Sequence, residues 1–370
     1  MKKPYIIVHL FLSLCLLLLT VPCLAIENDE CMDCHGDPDL TRMESQGVKQ
    51  NLSLDYRKFQ YSIHNINGIA CVDCHSDITE LNFDNEVPHA LSIKSVDCST
   101  CHEEEGQAYS KSVHMQAASK GMSIKCSACH GYHEVMPGDR LSVLERENKS
   151  CLKCHNPFSL HAWLPQKETH FAYVECTVCH APDSPRHIHL RFFDLVKKDF
   201  IDSTDILTSL GTDLEGFLPL IDTDNSGSFS AKEFESMVFI LRKRGVHVTF
   251  HGELLSEHQP LIHQVTLGNA ERDCQDCHLP LSPFFEAVTL FFNNEDGTVT
   301  HINVDREVLQ TYAVSNFNVP GGTRIRELDL IGVALVAGAI LGIGGHLFGR
   351  ILTIPYRKRR KLEEQQKKQS

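Results

Sequence analysis

The sequence predicts a mostly α and loop-rich fold with a helical insert, a small β hairpin region and one C-terminal transmembrane helix. Three observations predict it. The motif Cys-x-x-Cys-His recurs seven times, six of them crowded between residues 31 and 180. Residues 191–245 contain no cysteine and show helical patterning. The twenty residues from Leu330 to Gly349, whose only ionisable side chain is His346, are long enough to span a bilayer.

Composition narrows the function classes. The chain has 370 residues, a formal charge of −13, 42% hydrophobic and 22% charged residues, 16 Cys and 22 His. That balance excludes a disordered chain and a polytopic membrane protein. A net negative charge argues against nucleic-acid binding, which needs a basic footprint. Residues 1–25 read as a signal peptide, with Lys2 and Lys3, the apolar run Ile6 to Leu19 and the exit Cys23-Leu24-Ala25. Removal takes Cys15 and Cys23 with it and leaves fourteen cysteines. Past the apolar helix the chain is basic (Arg350, Arg357, Lys358, Arg359, Arg360, Lys361, Lys367 and Lys368). The positive-inside bias puts this tail in the cytoplasm and everything before the helix outside. Both ends are basic, so the exported segment is more acidic than the whole chain.

All fourteen cysteines fall into motifs. These are Cys31-Met-Asp-Cys34-His35, Cys71-Val-Asp-Cys74-His75, Cys98-Ser-Thr-Cys101-His102, Cys126-Ser-Ala-Cys129-His130, Cys151-Leu-Lys-Cys154-His155, Cys176-Thr-Val-Cys179-His180 and Cys274-Gln-Asp-Cys277-His278. Thiols three residues apart lie on one side of a helical turn and can bond to the two vinyl groups of a haem. The adjacent His then reaches the iron as proximal ligand. Zinc sites need four ligands from paired motifs, and seven pair poorly. A disulfide framework would not demand a His after every second Cys. Thioredoxin-like use expects one motif, not seven.

Seven irons need seven further ligands, and thirteen other histidines lie in the exported segment. His64, His89, His114, His133 and His170 are the first candidates for distal iron ligands. Ser62-Ile63-His64 and Ser112-Val113-His114 repeat one context ahead of a motif, and His170 lies six residues before Cys176. His161, His187 and His189 are further candidates, and His247, His251, His258, His263 and His301 complete the set. Which haem each serves cannot be read from the sequence.

Residues 27–190, with the outlying motif at 274–278, resemble the periplasmic multihaem cytochromes c, here a heptahaem one. With the C-terminal anchor, the chain resembles the membrane-anchored cytochrome c subunit of a quinol-oxidising complex of a respiratory chain. The resemblance implies a multihaem cytochrome c fold with closely packed, mostly bis-histidine haems of low potential forming an electron wire.

The first six motifs share so little polypeptide that the haems themselves must supply most of the buried apolar surface. The expected division is a hexahaem domain at 26–190, an EF-hand-like insert at 191–245, a seventh-haem, β-containing region at 246–326, the transmembrane helix at 327–350 and a cytoplasmic tail at 351–370. In the insert, Asp222, Asp224, Ser226, Gly227, Ser230 and Glu233 occupy positions 1, 3, 5, 6, 9 and 12 of a calcium loop, and Ser228 offers its carbonyl at position 7. Residues 287–292 and 298–304 read as a hairpin through Asn293-Asn294-Glu295-Asp296-Gly297. In the anchor, Ala334, Gly338, Gly342, His346 and Arg350 share one helix face suited to packing on a partner helix.

The expected function is electron transfer through seven c-type haems, from a membrane quinol-oxidising partner to a soluble cytochrome or other periplasmic acceptor, with Ca²⁺ in the acidic loop and no catalytic residue of its own. The haem domain would lie in the periplasm, anchored once in a bacterial inner membrane. The competing expectation is a multihaem oxidoreductase of the nitrite or hydroxylamine type, which needs one iron with an open coordination site.

Overall fold

The computed structural model describes residues 26–368 except 44–46, 258, 280–281, 295–296, 312–313, 316–318 and 320–325. Residues 1–25, read from the sequence as a signal peptide, and His258 therefore lie outside the described residues. The chain divides into two compact units. One takes 1–163, 258–267 and 293–299; the other takes 164–257, 268–292 and 300–370. The division falls between Trp163 and Leu164, not at residue 190, so the sixth motif groups with the seventh and apart from the first five.

The first unit is built from short helices. Among its described residues none is longer than eight residues, as in Asn28–His35 and Glu103–Ser110. Many start on a side chain that accepts from the first turn, such as Asp55, Ser62, Ser112, Ser142 and Asn156. Strands β1 (Thr41–Met43) and β2 (Lys49–Asn51) pair antiparallel, Arg42 opposite Gln50. Among its described residues the buried apolar ones are few: Phe59, Ala108, Val143 and Pro157. Meanwhile Met43, Tyr56, Phe83, Leu91, Met122 and Leu144 stand exposed. So many turns with so little side-chain core cannot offset the entropy of ordering them.

The second unit has an ordinary core and far more strand than the sequence reading expected. Strands β3 (Arg186–Asp194), β4 (Asp199–Phe200), β5 (Val248–Ser256), β6 (Val288–Asn293), β7 (Val299–Val304) and β8 (Val314–Ser315) form one sheet in the order β7-β6-β3-β5-β8, with β4 paired to β3. β3 and β5 pair antiparallel along their full length, from Arg186 opposite Ser256 to Asp194 opposite Val248, and β6 runs parallel to β3. The reason lies in a two-residue alternation. Ile188, Leu190 and Phe192 face a core shared with Phe250, Leu254, Val288, Leu290, Phe292, Ile302 and Val304. The helices Ser203–Leu210, Leu214–Ile221 and Ala231–Lys243 cover it with Ile206, Leu210, Phe217, Ile221, Phe234, Met237 and Leu241. β3 crosses residue 190, so the expected boundary there falls inside a strand. The strands at 288–293 and 299–304 lie where the hairpin was read and are neighbours in the sheet.

The helix Arg326–Leu352 contains the segment Leu330–Leu352, long and apolar enough to cross a membrane. The basic helix Ile354–Lys367 follows, with Pro355 in its first turn.

Candidate functional site

Every Cys-x-x-Cys-His motif forms a helical turn. Cys31 and Cys34 lie on Asn28–His35, and further helices span Cys71–Cys74, Cys126–His130, Cys176–His180 and Cys274–His278. Cys98–Thr100 and Cys151–Lys153 are 3₁₀ turns. Both thiols of each motif therefore project from one turn, and the backbone bonds that close the turns at His75, His102 and His155 run to the first cysteine of each motif.

The motif histidines meet histidines from outside the motifs. Ring centres of His35 and His89 are 6.1 Å apart, His64 and His102 6.1 Å, and His75 and His133 6.2 Å. His114 and His155 are 6.0 Å apart, His130 and His263 6.0 Å, and His170 and His278 6.3 Å. Each pair lies within one unit. With a metal–nitrogen bond of about 2 Å and a ring centre about 1.2 Å behind its nitrogen, imidazoles on opposite sides of one iron have centres about 6.4 Å apart. Two imidazoles in direct contact would lie closer. The residues present fit a haem between each pair.

Ring orientation fits too. Nδ1 faces a backbone carbonyl in His35 (Leu52, 2.8 Å), His89 (Ala90, 2.9 Å), His170 (Gln166, 3.1 Å) and His263 (Pro260, 3.2 Å). A carbonyl only accepts, so Nδ1 carries the proton and the Nε2 lone pair is left to a metal. Burial holds the His64, His75 and His133 rings below the usual histidine range, which favours their neutral, ligating form.

The pairing has an order. Three histidines skip the motif that follows them and meet the next, His64 passing His75 for His102, His114 passing His130 for His155 and His170 passing His180 for His278, whereas His89 and His263 turn back to His35 and His130. Two of these sets repeat in backbone detail. Ser62 Oγ accepts from Asn65 N–H at 3.2 Å, and Ser112 Oγ accepts from Met115 N–H at 3.2 Å. Ile63 N–H donates to Val135 at 2.8 Å, and Val113 N–H donates to Val265 at 2.9 Å. Val135 and Val265 each follow a ring partner, His133 and His263, by two residues. Residues 62–135 and the set 112–155 plus 263–265 are thus two copies of one two-site module.

Thiols of successive motifs lie near one another, with hydrogen bonds between Cys31 and Cys71 and between Cys98 and Cys126. Burial pushes the Cys71 thiol up to about 12, and the hydrogen-bonded Cys31 thiol adds to the rise. Burial raises Cys74, Cys98 and Cys129, with further contributions from Cys101, Cys126 and Cys151 respectively. The first five motifs therefore follow one another in space as in sequence. In the second unit burial pushes Cys277 up to about 12, with Cys179 adding to it. Asn28 Oδ1 accepts from Cys71 N–H at 2.7 Å, and Lys153 Nζ donates to the Ala128 carbonyl at 3.1 Å, tying successive motifs together.

His263 was not among the favoured distal candidates. Its signal was the pattern His-x-Val shared with His133, visible once the Ser-x-His repeat is aligned. His161 stands beside Trp163, with Nδ1 facing the Pro157 carbonyl at 3.0 Å. His187 and His189 lie on β3 and meet each other, not a motif histidine of the six pairs; His180 is outside those pairs.

The acidic loop lies between the helices Leu214–Ile221 and Ala231–Lys243. Oxygens of Asp222, Asp224 and Glu233 lie within 4.8 Å of one another. Ser226 N–H donates to Asp222 and Asp224, both at 3.0 Å, and Gly227 N–H to Asp222 at 2.9 Å. Gly227 sits at φ +77°, a conformation that a side chain would strain. The Ser226 hydroxyl donates to the Ser228 carbonyl at 2.9 Å, and Ser230 caps the following helix. Phe229 pairs with β7: its N–H donates to Asn303 at 2.9 Å, and Asp305 N–H donates back at 2.8 Å. A strand of the sheet thus occupies the place where a partner loop would pair. Burial alone would raise the Glu233 carboxyl, but hydrogen bonds from Ser230 and Thr223 outweigh it and hold the group down to about 2.

Comparison with known proteins adds one likeness. Over 202 residues the chain is 26% identical to the multihaem cytochrome MtrC of Shewanella baltica, covering 48% of this chain and 28% of that protein. The chain thus spans less than a third of that relative's length. No family model matches, and no solved structure matches. The likeness supports a multihaem cytochrome c and, with it, c-type haem and electron transport.

Proposed function

We propose that this chain is an electron-transfer subunit holding seven covalently attached c-type haems, fed by a membrane quinol-oxidising partner and discharging to a soluble periplasmic acceptor. The observation that carries the reading is the set of six imidazole pairs at 6.0–6.3 Å, each uniting a motif His with a His from elsewhere. Bound haem supplies one-electron exchange at iron. The chain supplies the rest. Its cysteine pairs would anchor each group, and His35, His75, His102, His130, His155, His180 and His278 would be the motif ligands. His89, His133, His64, His263, His114 and His170 would be the second ligands, partnering His35, His75, His102, His130, His155 and His278 respectively. At the six paired sites two histidines would leave no open coordination position, which favours transfer over catalysis there; the spin state of the haem at Cys176–His180 decides between the two readings. Nδ1 hydrogen bonds fix the rings and limit reorganisation when charge changes.

The acidic loop is proposed to hold Ca²⁺ through Asp222, Asp224, Ser226, Glu233 and the Ser228 carbonyl, with a structural role. Its hard oxygen donors and tight Gly227 turn support this. The apolar helix is proposed as the single anchor in a bacterial inner membrane, with the basic tail cytoplasmic.

The decisive measurement is haem per polypeptide by pyridine haemochrome, combined with EPR of the detergent-purified protein. Seven haems per chain, all low-spin, is the expected result. Clearly fewer than seven, or a high-spin haem that binds exogenous ligands at full occupancy, overturns it. Reduction by a quinol analogue only when co-purifying membrane subunits are present tests the partner.

A further inference from the structure

The helix able to cross a membrane meets the basic helix at a cleft that electron transfer does not use. The cleft has a volume of about 320 Å³ and is lined by Leu347, Arg350 and Ile351 from the first helix and by Ile354, Arg357, Lys358 and Lys361 from the second. These positions follow one another at helical spacing, so the lining is one face carried across the junction. Pro355 makes the junction, because it has no N–H to donate to the Ile351 carbonyl and the helical ladder breaks there. Thr353 Oγ1 donates to the Gly349 carbonyl at 2.9 Å and accepts from Arg357 Nη2 at 2.5 Å. Arg357 Nη2 also donates to the Arg350 carbonyl at 3.2 Å, which holds its guanidinium at the mouth of the cleft.

Polarity changes along that face. Leu347, Ile351 and Ile354 present exposed apolar side chains, and Arg350, Arg357, Lys358 and Lys361 bring four cations beside and beyond them. Neither carboxylate of the basic helix lines the cleft, and Glu364 pairs instead with Arg360 at 3.4 Å. We propose that the cleft binds one anionic glycerophospholipid, its phosphodiester among the four cations and an acyl chain along Leu347, Ile351 and Ile354. The inference rests on the proposed membrane anchor, which puts the junction in the headgroup layer. Cations at that depth attract acidic headgroups, and a guanidinium offers paired donors to phosphate. Charge alone would suit a free phosphate ion, but such an ion gains nothing from the apolar half. An acidic protein segment would meet the cations but would not be fixed where the apolar span ends at Leu352.

The test uses the full-length holoprotein in a neutral detergent. Native mass spectrometry counts dioleoylphosphatidylglycerol and dioleoylphosphatidylcholine bound per chain as each is titrated. One phosphatidylglycerol per chain, held at least about tenfold more tightly than phosphatidylcholine, is the expected result. Lys358→Gln combined with Lys361→Gln, both at exposed positions, should weaken phosphatidylglycerol about 25-fold, at about fivefold for each cation lost. Arg359→Gln combined with Lys367→Gln removes the same charge from outside the cleft and should weaken it far less. Equal binding of the two lipids, or equal losses in the two double variants, overturns the site. So does displacement of the bound lipid by excess inorganic phosphate, which would make free phosphate the ligand. Failure of the anchor reading shows separately, as a tail that protease cuts from the outside of intact spheroplasts, and it removes the site as well.

Discussion

At the scale of single residues, the informative feature is the direction in which each histidine is held. His263 reaches His130 from far along the chain, its Nδ1 turned to the Pro260 carbonyl and its segment fixed by the bond from Val113 to Val265. His263→Ala should therefore turn one low-spin haem high-spin and CO-reactive while leaving the haem count unchanged. Absorbance and EPR read both quantities. A fully low-spin spectrum in that variant would refute the assignment. Ser112 is fully buried and caps the helix that carries His114. Ser112→Ala should cost about 1 kcal/mol and destabilise the haem held by His114 and His155 more than its neighbours. Redox titration of the individual haems is the check. The seven motifs and five of the six histidines that meet them (His64, His89, His114, His133 and His170) were singled out by the sequence because motif spacing is local. His263 was not, because its partner lies more than a hundred residues away and a His-x-Val triplet means nothing until the fold repeats it.

At the scale of elements, the acidic loop and β7 form one device. Phe229 bonds both ways with the strand, and Ser228 Oγ donates to Asp305 Oδ1 at 2.6 Å. Calcium at about a hundred times its dissociation constant would stabilise the second unit by about 2.7 kcal/mol. The melting temperature should accordingly rise by about 5–10 °C, and Glu233→Gln should abolish the rise. In chelator, the same glutamate sets a pH dependence. Its carboxyl is held down to about 2, against an ordinary value of 4.5. The stabilisation is therefore complete above the ordinary value and is lost as pH falls towards 2. Acid unfolding followed by circular dichroism should show a shallower slope in that window for Glu233→Gln. The loop residues and the helices around them were readable from spacing alone. Most strands of the sheet lie in the β-containing region expected at 246–326, but β3 lies outside it, within the stretch read for its motifs and histidines, although Ile188, Leu190 and Phe192 alternate to define its buried face.

At the scale of the whole molecule, the two units solve stability differently. The second has a phenylalanine-rich core, and Phe217→Ala there should cost about 3–5 kcal/mol. The first has almost no apolar core of its own among its described residues. It should fail to fold when haem attachment is blocked, a result that limited proteolysis of apoprotein would show. The segment before the apolar helix is acidic, and with the proposed periplasmic placement it predicts a basic docking patch on the acceptor, whose reduction should slow as salt rises. Rates independent of ionic strength would refute that docking mode.

By itself the sequence displayed the seven motifs, the cofactor class they point to and, among the described residues, the helix long and apolar enough to cross a membrane, because each is written in contiguous residues. Tertiary structure alone decided which histidine faces which motif, that a two-site module occurs twice, and that the sixth motif groups with the seventh. Those facts depend on chain reversals and strand order, which join residues far apart in sequence through many weak contacts that no short stretch specifies.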